Sequence, residues 1–152
     1  MNFIGVTGGT KKQRELAYEV AEFCIEKLMP RHRTLDINIE LNRCANTGAM
    51  GYCCVGDHNR EYVIEIDNRI YKSDIKEFIT TLCHEMVHVM QNAKGLLKEM
   101  CRPRMKMMWK GIDYTDTPYS HQPWERQAYR MQKNLANEFI HESWLNKIEE
   151  YL

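Results

Sequence analysis

Two histidines and a glutamate stand close together in CHEMVHVMQ, residues 83–91. On an α-helix, His84 and His88 would project from the same side, about 40° apart, and could bind one metal ion. Neutral imidazoles bind Zn²⁺ without cancelling its charge, and Glu85 could take the proton of an attacking water. The spacing therefore predicts a hydrolytic zinc site. The alternative is an ordinary helix whose solvated face carries two histidines.

A catalytic zinc site also needs a third protein ligand and an open position. Glu125 is favoured, because it lies in the first turn of a predicted helix, where Ala128 would let that helix approach the metal helix closely. Trp124 could fix the turn. The alternative is that Glu125 is an acid at a helix start, stabilised by the helix dipole. His121 is the second choice. The downstream candidates are Asp113, Asp116, His121, Glu125, Glu138, His141 and Glu142.

The elements before the metal helix are predicted to be one helix and a small antiparallel sheet. Apolar residues recur at helical spacing from Leu16 to Leu28. Residues 34–41 alternate strictly between apolar and polar, which is typical of a half-buried strand. A short strand at about 50–55 and a third strand at 61–67 complete the predicted sheet.

The metal helix is predicted to begin after Ser73, as its cap, and to end near Ala93 at Gly95. Residues 96–108 are predicted to be helical with an interruption at Pro103, and residues 109–114 to be extended.

The last helix is predicted to start at Pro123 and to reach about residue 150. The chain of 152 residues suits one domain, here 1–152, of the α+β class.

Five motifs follow one another along the second half of the chain: His84-Glu85-x-x-His88-Val89-x-Gln91, Gly95-Leu96, Trp109-x-Gly111-x-x-Tyr114, Tyr119 and Pro123-Trp124-Glu125-x-x-Ala128. Their order and spacing resemble a known family, the small metallopeptidases encoded by bacteriophages. These are minimal zincins related in outline to the SprT-like and ImmA/IrrE-type peptidases, and the resemblance covers about residues 60–135. It implies an antiparallel sheet before the metal helix, one Zn²⁺ per chain on His84, His88 and Glu125, and Glu85 as catalytic base.

Residues 61–67 are a candidate substrate-binding strand. In zincins such a strand often lies at the edge of the cleft, where Val63, Ile64 and Glu65 would pair with an extended peptide. The alternative is an interior strand.

Three side chains could donate a hydrogen bond to the oxyanion that forms during attack on an amide: Tyr114, Tyr119 and His121. Tyr119 ranks first because it is nearest to the PWE turn.

The composition does not indicate a global electrostatic attraction to nucleic acid or membranes, because Lys+Arg and Asp+Glu both number 21. Local basic charge is concentrated in residues 94–110, which could meet nucleic acid or form a solvated face. No signal peptide or membrane-spanning run is apparent, so we expect a cytoplasmic protein, in the host cytoplasm if it is phage-encoded.

Six cysteines without a CxxC pair suggest free thiols in a reducing compartment. Cys44, Cys53 and Cys54 could form a second metal site, but adjacent cysteines chelate one ion poorly.

The function predicted from these patterns is zinc-dependent hydrolysis of amide bonds in a protein or peptide. One alternative is an amidohydrolase acting on a non-peptide or modified peptide, such as a deformylase, which would bring a cysteine ligand from a glycine-rich motif like GYCCVG at 51–56. Another is a non-enzymatic module that binds a protein or DNA through the basic segment.

Overall fold

The computed structural model describes residues 1–43, 50–100 and 105–143, which form a mixed α+β structure with two small sheets. None of the described helices is long and apolar enough to cross a membrane. In chain order the elements are β1 (Phe3–Gly8), α1 (Lys11–Leu28), β2 (Asp36–Asn42), β3 (Gly51–Val55), β4 (Glu61–Asp67), α2 (Arg69–Ser73), α3 (Ile75–Ala93), β5 (Leu97–Met100), β6 (Lys106–Trp109), β7 (Ile112–Asp113) and α4 (Pro123–Ser143), with a short 3₁₀ turn at Tyr119–His121.

The larger sheet has the strand order β1-β2-β4-β3 and is mixed. β1 pairs with β2 and β2 with β4 in parallel, while β3 runs antiparallel along the outer edge of β4. The prediction of an antiparallel sheet is therefore wrong. Residues 3–8 form a strand that the sequence-based prediction omits. Because α1 carries the chain back to the starting end of the sheet, β1 and β2 must run in the same direction.

The main core lies between one face of this sheet and the helices. Ile37, Ile39 and Leu41 of β2 are buried, whereas Asn38 between them is exposed. The alternation predicted for this strand is confirmed, and it shows that helices cover one face of the sheet only. Phe78 and Leu82 of α3 are fully buried in the same core, so the metal helix is held rigidly against it.

Helix α3 has defined ends. The side chain of Asp74, rather than that of Ser73, accepts a hydrogen bond from the Glu77 backbone N–H (3.1 Å), which satisfies one of the free donors of the first turn. The helix ends before Gly95, whose positive φ of 74° suits glycine, as predicted.

The second sheet replaces a predicted helix. Residues 97–100 and 106–109 are antiparallel strands, followed by β7 after a turn at Lys110 and Gly111. The prediction of helix over 96–108 is therefore wrong, although its residues are mostly good helix formers. Tertiary packing outweighs this helix propensity, because Leu97, Trp109 and Trp124 form a small second core that joins this sheet to the start of α4.

Candidate metal centre

Three side chains from two helices converge on one point. His84 and His88 project from the same side of α3, and Glu125 comes from the first turn of α4, as predicted. Glu125 Oε1 lies 3.1 Å from His84 Nε2 and 2.7 Å from His88 Nε2. All three ligand atoms lie within 4.8 Å of one another. Ligands of one tetrahedral zinc ion would be about 3.3 Å apart, so these side chains could hold such an ion after small movements.

The far ring nitrogens of both histidines have fixed partners. His84 Nδ1 lies 2.7 Å from Gln132 Oε1, and His88 Nδ1 lies 2.8 Å from Gln91 Oε1. The Gln91 amide is oriented unambiguously, because its NH₂ group donates to the Trp124 carbonyl and to Gln127 Oε1, both at 2.9 Å. An amide oxygen can only accept, so His88 Nδ1 carries a hydrogen, and His84 Nδ1 does so with the Gln132 oxygen turned toward it. In the neutral imidazole, each Nε2 then presents its lone pair to Glu125.

The resulting arrangement could hold a cation, either a proton or a metal ion. Two lone pairs and a carboxylate oxygen face one another in a mostly buried space, where water does not separate them. Burial opposes ionisation of Glu125, but the two histidines outweigh it and hold its pKa at about 2, so the side chain is a carboxylate. Burial likewise opposes a charge on His88, yet the Glu125 carboxylate raises the pKa of that imidazole. The two nitrogens and one oxygen fit zinc, whose binding would displace a proton.

Glu85 lines the cleft but does not belong to the group of side chains that could share a metal ion. It is 5% exposed and lines the same cleft as both histidines. Burial raises the pKa of its carboxyl, and the two histidines partly oppose that increase. Its carboxylate has no hydrogen bond to any residue in the described part of the chain. Glu85 is therefore free to exchange a proton with a molecule in the cleft.

The cleft beside the three ligands has a volume of about 390 Å³. One wall is strand β3, and the opposite side includes Leu97, Glu99 and the turn before α4. Gly51 lies close to α3: a Cβ there would come 2.8 Å from Ile66 and 3.1 Å from Thr81. The lining residues are Gly51, Tyr52, Cys53, His84, Glu85, His88, Asn92, Leu97, Glu99, Tyr119, Gln122, Trp124 and Glu125.

Tyr119 lies at the cleft, but His121 and Tyr114 do not line it. The Tyr119 side chain is 57% exposed and its hydroxyl lies 3.1 Å from that of Tyr129. Burial of part of the ring and the hydrogen bond with Tyr129 raise the pKa of Tyr119, so the hydroxyl stays protonated and can donate. Tyr114 packs on Trp124, and the exposed His121 lies beside the Ser120 hydroxyl.

The other candidate ligands also lie elsewhere. Glu138 and Glu142 are within ion-pair distance of Lys27, and Asp113 accepts hydrogen bonds from Thr115. Within the described residues, the histidines and acids that could share an ion are therefore His84, His88 and Glu125 alone.

The prediction that residues 61–67 form an edge strand able to bind a peptide is wrong. β4 is interior, because residues 61–67 pair with β2 and residues 62–66 also pair with β3. The backbone of Val63, Ile64 and Glu65 is thus already hydrogen-bonded on both sides and cannot pair with a peptide. The edge strand beside the cleft is β3. Strand order could not be read from the sequence, because the apolar alternation of β4 is the same in an interior or an edge position.

The cysteines give no support to a second metal site. Adjacent residues on a strand point to opposite faces, so Cys53 lines the cleft while Cys54 is exposed. Cys44 lies outside the described residues. Cys24 and Cys83 are buried free thiols whose sulfurs lie 3.8 Å apart between α1 and α3.

Sequence reasoning missed the glutamines behind the histidines and the tyrosine beside them. Gln91 is three residues after His88 on the same helix, a spacing that could have suggested contact. Gln132 lies on α4, and Tyr129 packs edge-on against His84 with ring centres 4.6 Å apart. No local pattern identifies these two, since both contacts depend on how α4 packs on α3.

Replacing Gln132 with Leu is expected to weaken zinc binding about 10- to 100-fold, because His84 loses the acceptor that orients its ring. The measurement is competition for zinc against a chelating dye. Asn134→Leu, at an exposed position of the same helix, is the control and should bind zinc as the wild type does. Equal affinities in all three proteins would show that Gln132 does not support a ligand.

No family model, curated protein or solved structure matches the chain. The resemblance to phage metallopeptidases therefore stays a prediction.

Proposed function

We propose that the protein is a zinc-dependent metallopeptidase that hydrolyses amide bonds in a peptide or protein. The observation that carries the proposal is the convergence of His84, His88 and Glu125 in an open cleft, beside the Glu85 carboxylate, which has no hydrogen bond to another described residue. Two imidazoles, one carboxylate and a nearby general base are the parts that zinc-dependent hydrolysis requires. The phage-encoded minimal zincins are the family that we propose for it.

Each part has a defined task in this proposal. A bound zinc ion would polarise the substrate carbonyl and acidify a water molecule. Glu85 takes the proton from the attacking water and passes it to the leaving amine, which its burial and raised pKa favour. Tyr119 donates a hydrogen bond to the oxyanion from the rim of the cleft. Gln91 and Gln132 keep the two imidazoles in the orientation and tautomer that suit a metal ligand.

The edge strand β3 suits an extended peptide. Its pairing partner among the described strands is β4, on one side only, and Gly51 to Cys53 form a wall of the cleft. A substrate segment could add to this edge as a further strand, with its backbone hydrogen-bonded to β3. The substrate strand is thus assigned to β3 in place of residues 61–67.

One observation favours a second candidate, a metal-dependent amidohydrolase of a non-peptide or modified-peptide substrate. The thiol of Cys53, in GYCCVG, lines the same cleft as the histidines, as a cysteine ligand of a deformylase would. Cys53 does not, however, belong to the group of ligand atoms that lie within 4.8 Å of one another.

The proposed function is tested with zinc-loaded protein and a mixture of unstructured peptides, analysed by mass spectrometry for new termini. We expect cleavage that a chelator stops and added zinc restores. Absence of cleavage together with release of formate from N-formyl peptides would favour the amidohydrolase. Absence of any hydrolysis, with binding of DNA or protein intact, would favour a binding module acting through residues 94–110.

A further inference from the structure

A second cavity, of about 430 Å³, adjoins the metal cleft. The two cavities share Asn92, Leu97 and Glu99 in their walls. The second cavity extends from there beneath the turn between β3 and β4, at Gly56–Asn59. A peptide paired with β3 would therefore have one side chain directed toward this space. Its volume is within the range of about 300–1,000 Å³ that is usual for ligand pockets.

Glu99 stands where the two cavities meet. It shares a face of strand β5 with Leu97, two residues earlier, which is 3% exposed and lines both cavities. Among the described residues, the Glu99 carboxylate has neither an ion-pair partner nor a hydrogen bond. It is thus available to a molecule that occupies the junction.

Among the residues that the structure describes, the charges around the junction do not compensate that of Glu99. The metal cleft is lined by three carboxylates, those of Glu85, Glu99 and Glu125, and by no lysine or arginine among the described residues. A divalent ion would be balanced by Glu85 and Glu125 together. The exposed carboxylate of Glu99 then remains as a further negative charge at the mouth of a cleft whose walls are partly apolar, where a complementary charge is favoured.

The other charged groups of the second cavity do not offset this charge. Lys98 also lines this cavity, but it is not within ion-pair distance of Glu99, and its positive charge is offset by the carboxylate of Asp57 in the same lining. His58 lies 3.5 Å from Glu61, and Asp57 adds a further negative charge at the far end of the cavity.

The geometry points to Glu99 as the residue that selects a lysine or arginine side chain of the substrate, bound in the second cavity on one side of the cleaved bond. The inference rests on the proposed peptidase function and specifies its substrate class: peptides and proteins with a basic residue near the cleavage site. A carboxylate at the mouth of this cavity, with no ion-pair partner among the described residues, would bind such a side chain by a charge-assisted hydrogen bond.

The test uses two series of peptides. In one series a single residue before the cleaved bond is Lys, Met or Glu, and in the other series the varied residue lies after that bond. For wild-type protein we expect kcat/KM to be about tenfold higher for the Lys peptide than for the Met peptide at one position. Glu99→Gln should remove this preference and Glu99→Lys should favour the Glu peptide. Glu40→Gln, an equal change on β2 outside both cavities, should keep the wild-type preference.

A binding measurement separates this inference from the proposed function. Fluorescent Lys, Met and Glu peptides are titrated into zinc-loaded Glu85→Gln protein, with and without Glu99→Gln. Cleavage without a charge preference would overturn the role of Glu99 but would still support the proposed peptidase function. If no peptide is cleaved, the peptidase proposal fails, and Glu99-dependent binding of the Lys peptide would still support the cationic subsite. Equal binding of the three peptides would overturn that subsite as well.

Discussion

Replacing Glu85 with Gln is expected to lower kcat for peptide cleavage about 10³-fold while the zinc content stays at one ion per chain. The amide has nearly the shape of the carboxylate but cannot accept the proton of the attacking water. Glu85 does not belong to the group of ligand atoms on His84, His88 and Glu125, so the metal should remain. Steady-state kinetics and elemental analysis of the same preparation measure the two effects together.

The matched control is Glu26→Gln, the same chemical change at an exposed position of α1. It should leave both kcat and zinc content unchanged. Full activity in Glu85→Gln would contradict the assignment of the general base, and an unchanged cellular function in the same variant would favour a binding module.

The Glu125→Ala variant is expected to bind zinc more than about a hundredfold more weakly than the wild type. Loss of a ligand should cost more than the 10- to 100-fold typical for loss of a residue that only supports one. The variant should also lose the zinc-dependent rise in thermal stability, because a ligand that binds only the folded state stabilises it in proportion to its affinity. Chelator competition and thermal unfolding with and without zinc measure these effects.

His121→Ala serves as the comparison, since His121 was the second candidate from the sequence. The structure gives its ring a partner in Ser120 and leaves it out of the ligand group, so zinc affinity should be unchanged. The reverse result, with zinc lost in His121→Ala and kept in Glu125→Ala, would show that His121 rather than Glu125 is the third ligand.

Local patterns predicted the elements that carry the candidate site. The alternation in residues 34–41 and 61–67 corresponds to β2 and β4, and the helices at Ile75–Ala93 and Pro123–Ser143 begin close to their predicted starts. Both histidines could be placed because a spacing of four residues has a fixed meaning on a helix. Glu125 is 41 residues from His84, and only its position in a first helical turn and the family resemblance favoured it.

Features that depend on long-range pairing could not be predicted. β4 alternates as a half-buried strand in either an edge or an interior position, so its burial between β2 and β3 was not evident. Residues 97–100 and 106–109 have helix-forming side chains, yet they form strands because Leu97 and Trp109 pack with Trp124. The contacts of Gln132 and the position of Glu99 likewise depend on the packing of distant segments.

X-ray absorption spectroscopy of the zinc-loaded protein tests the metal centre most directly. The expected spectrum has nitrogen and oxygen neighbours at about 2.0–2.1 Å, with outer-shell scattering from two imidazoles, and loses one oxygen in the Glu125→Ala variant. A sulfur neighbour at about 2.3 Å would instead place Cys53 on the metal and favour the amidohydrolase. Failure of the wild-type protein to bind zinc would contradict the proposed centre altogether.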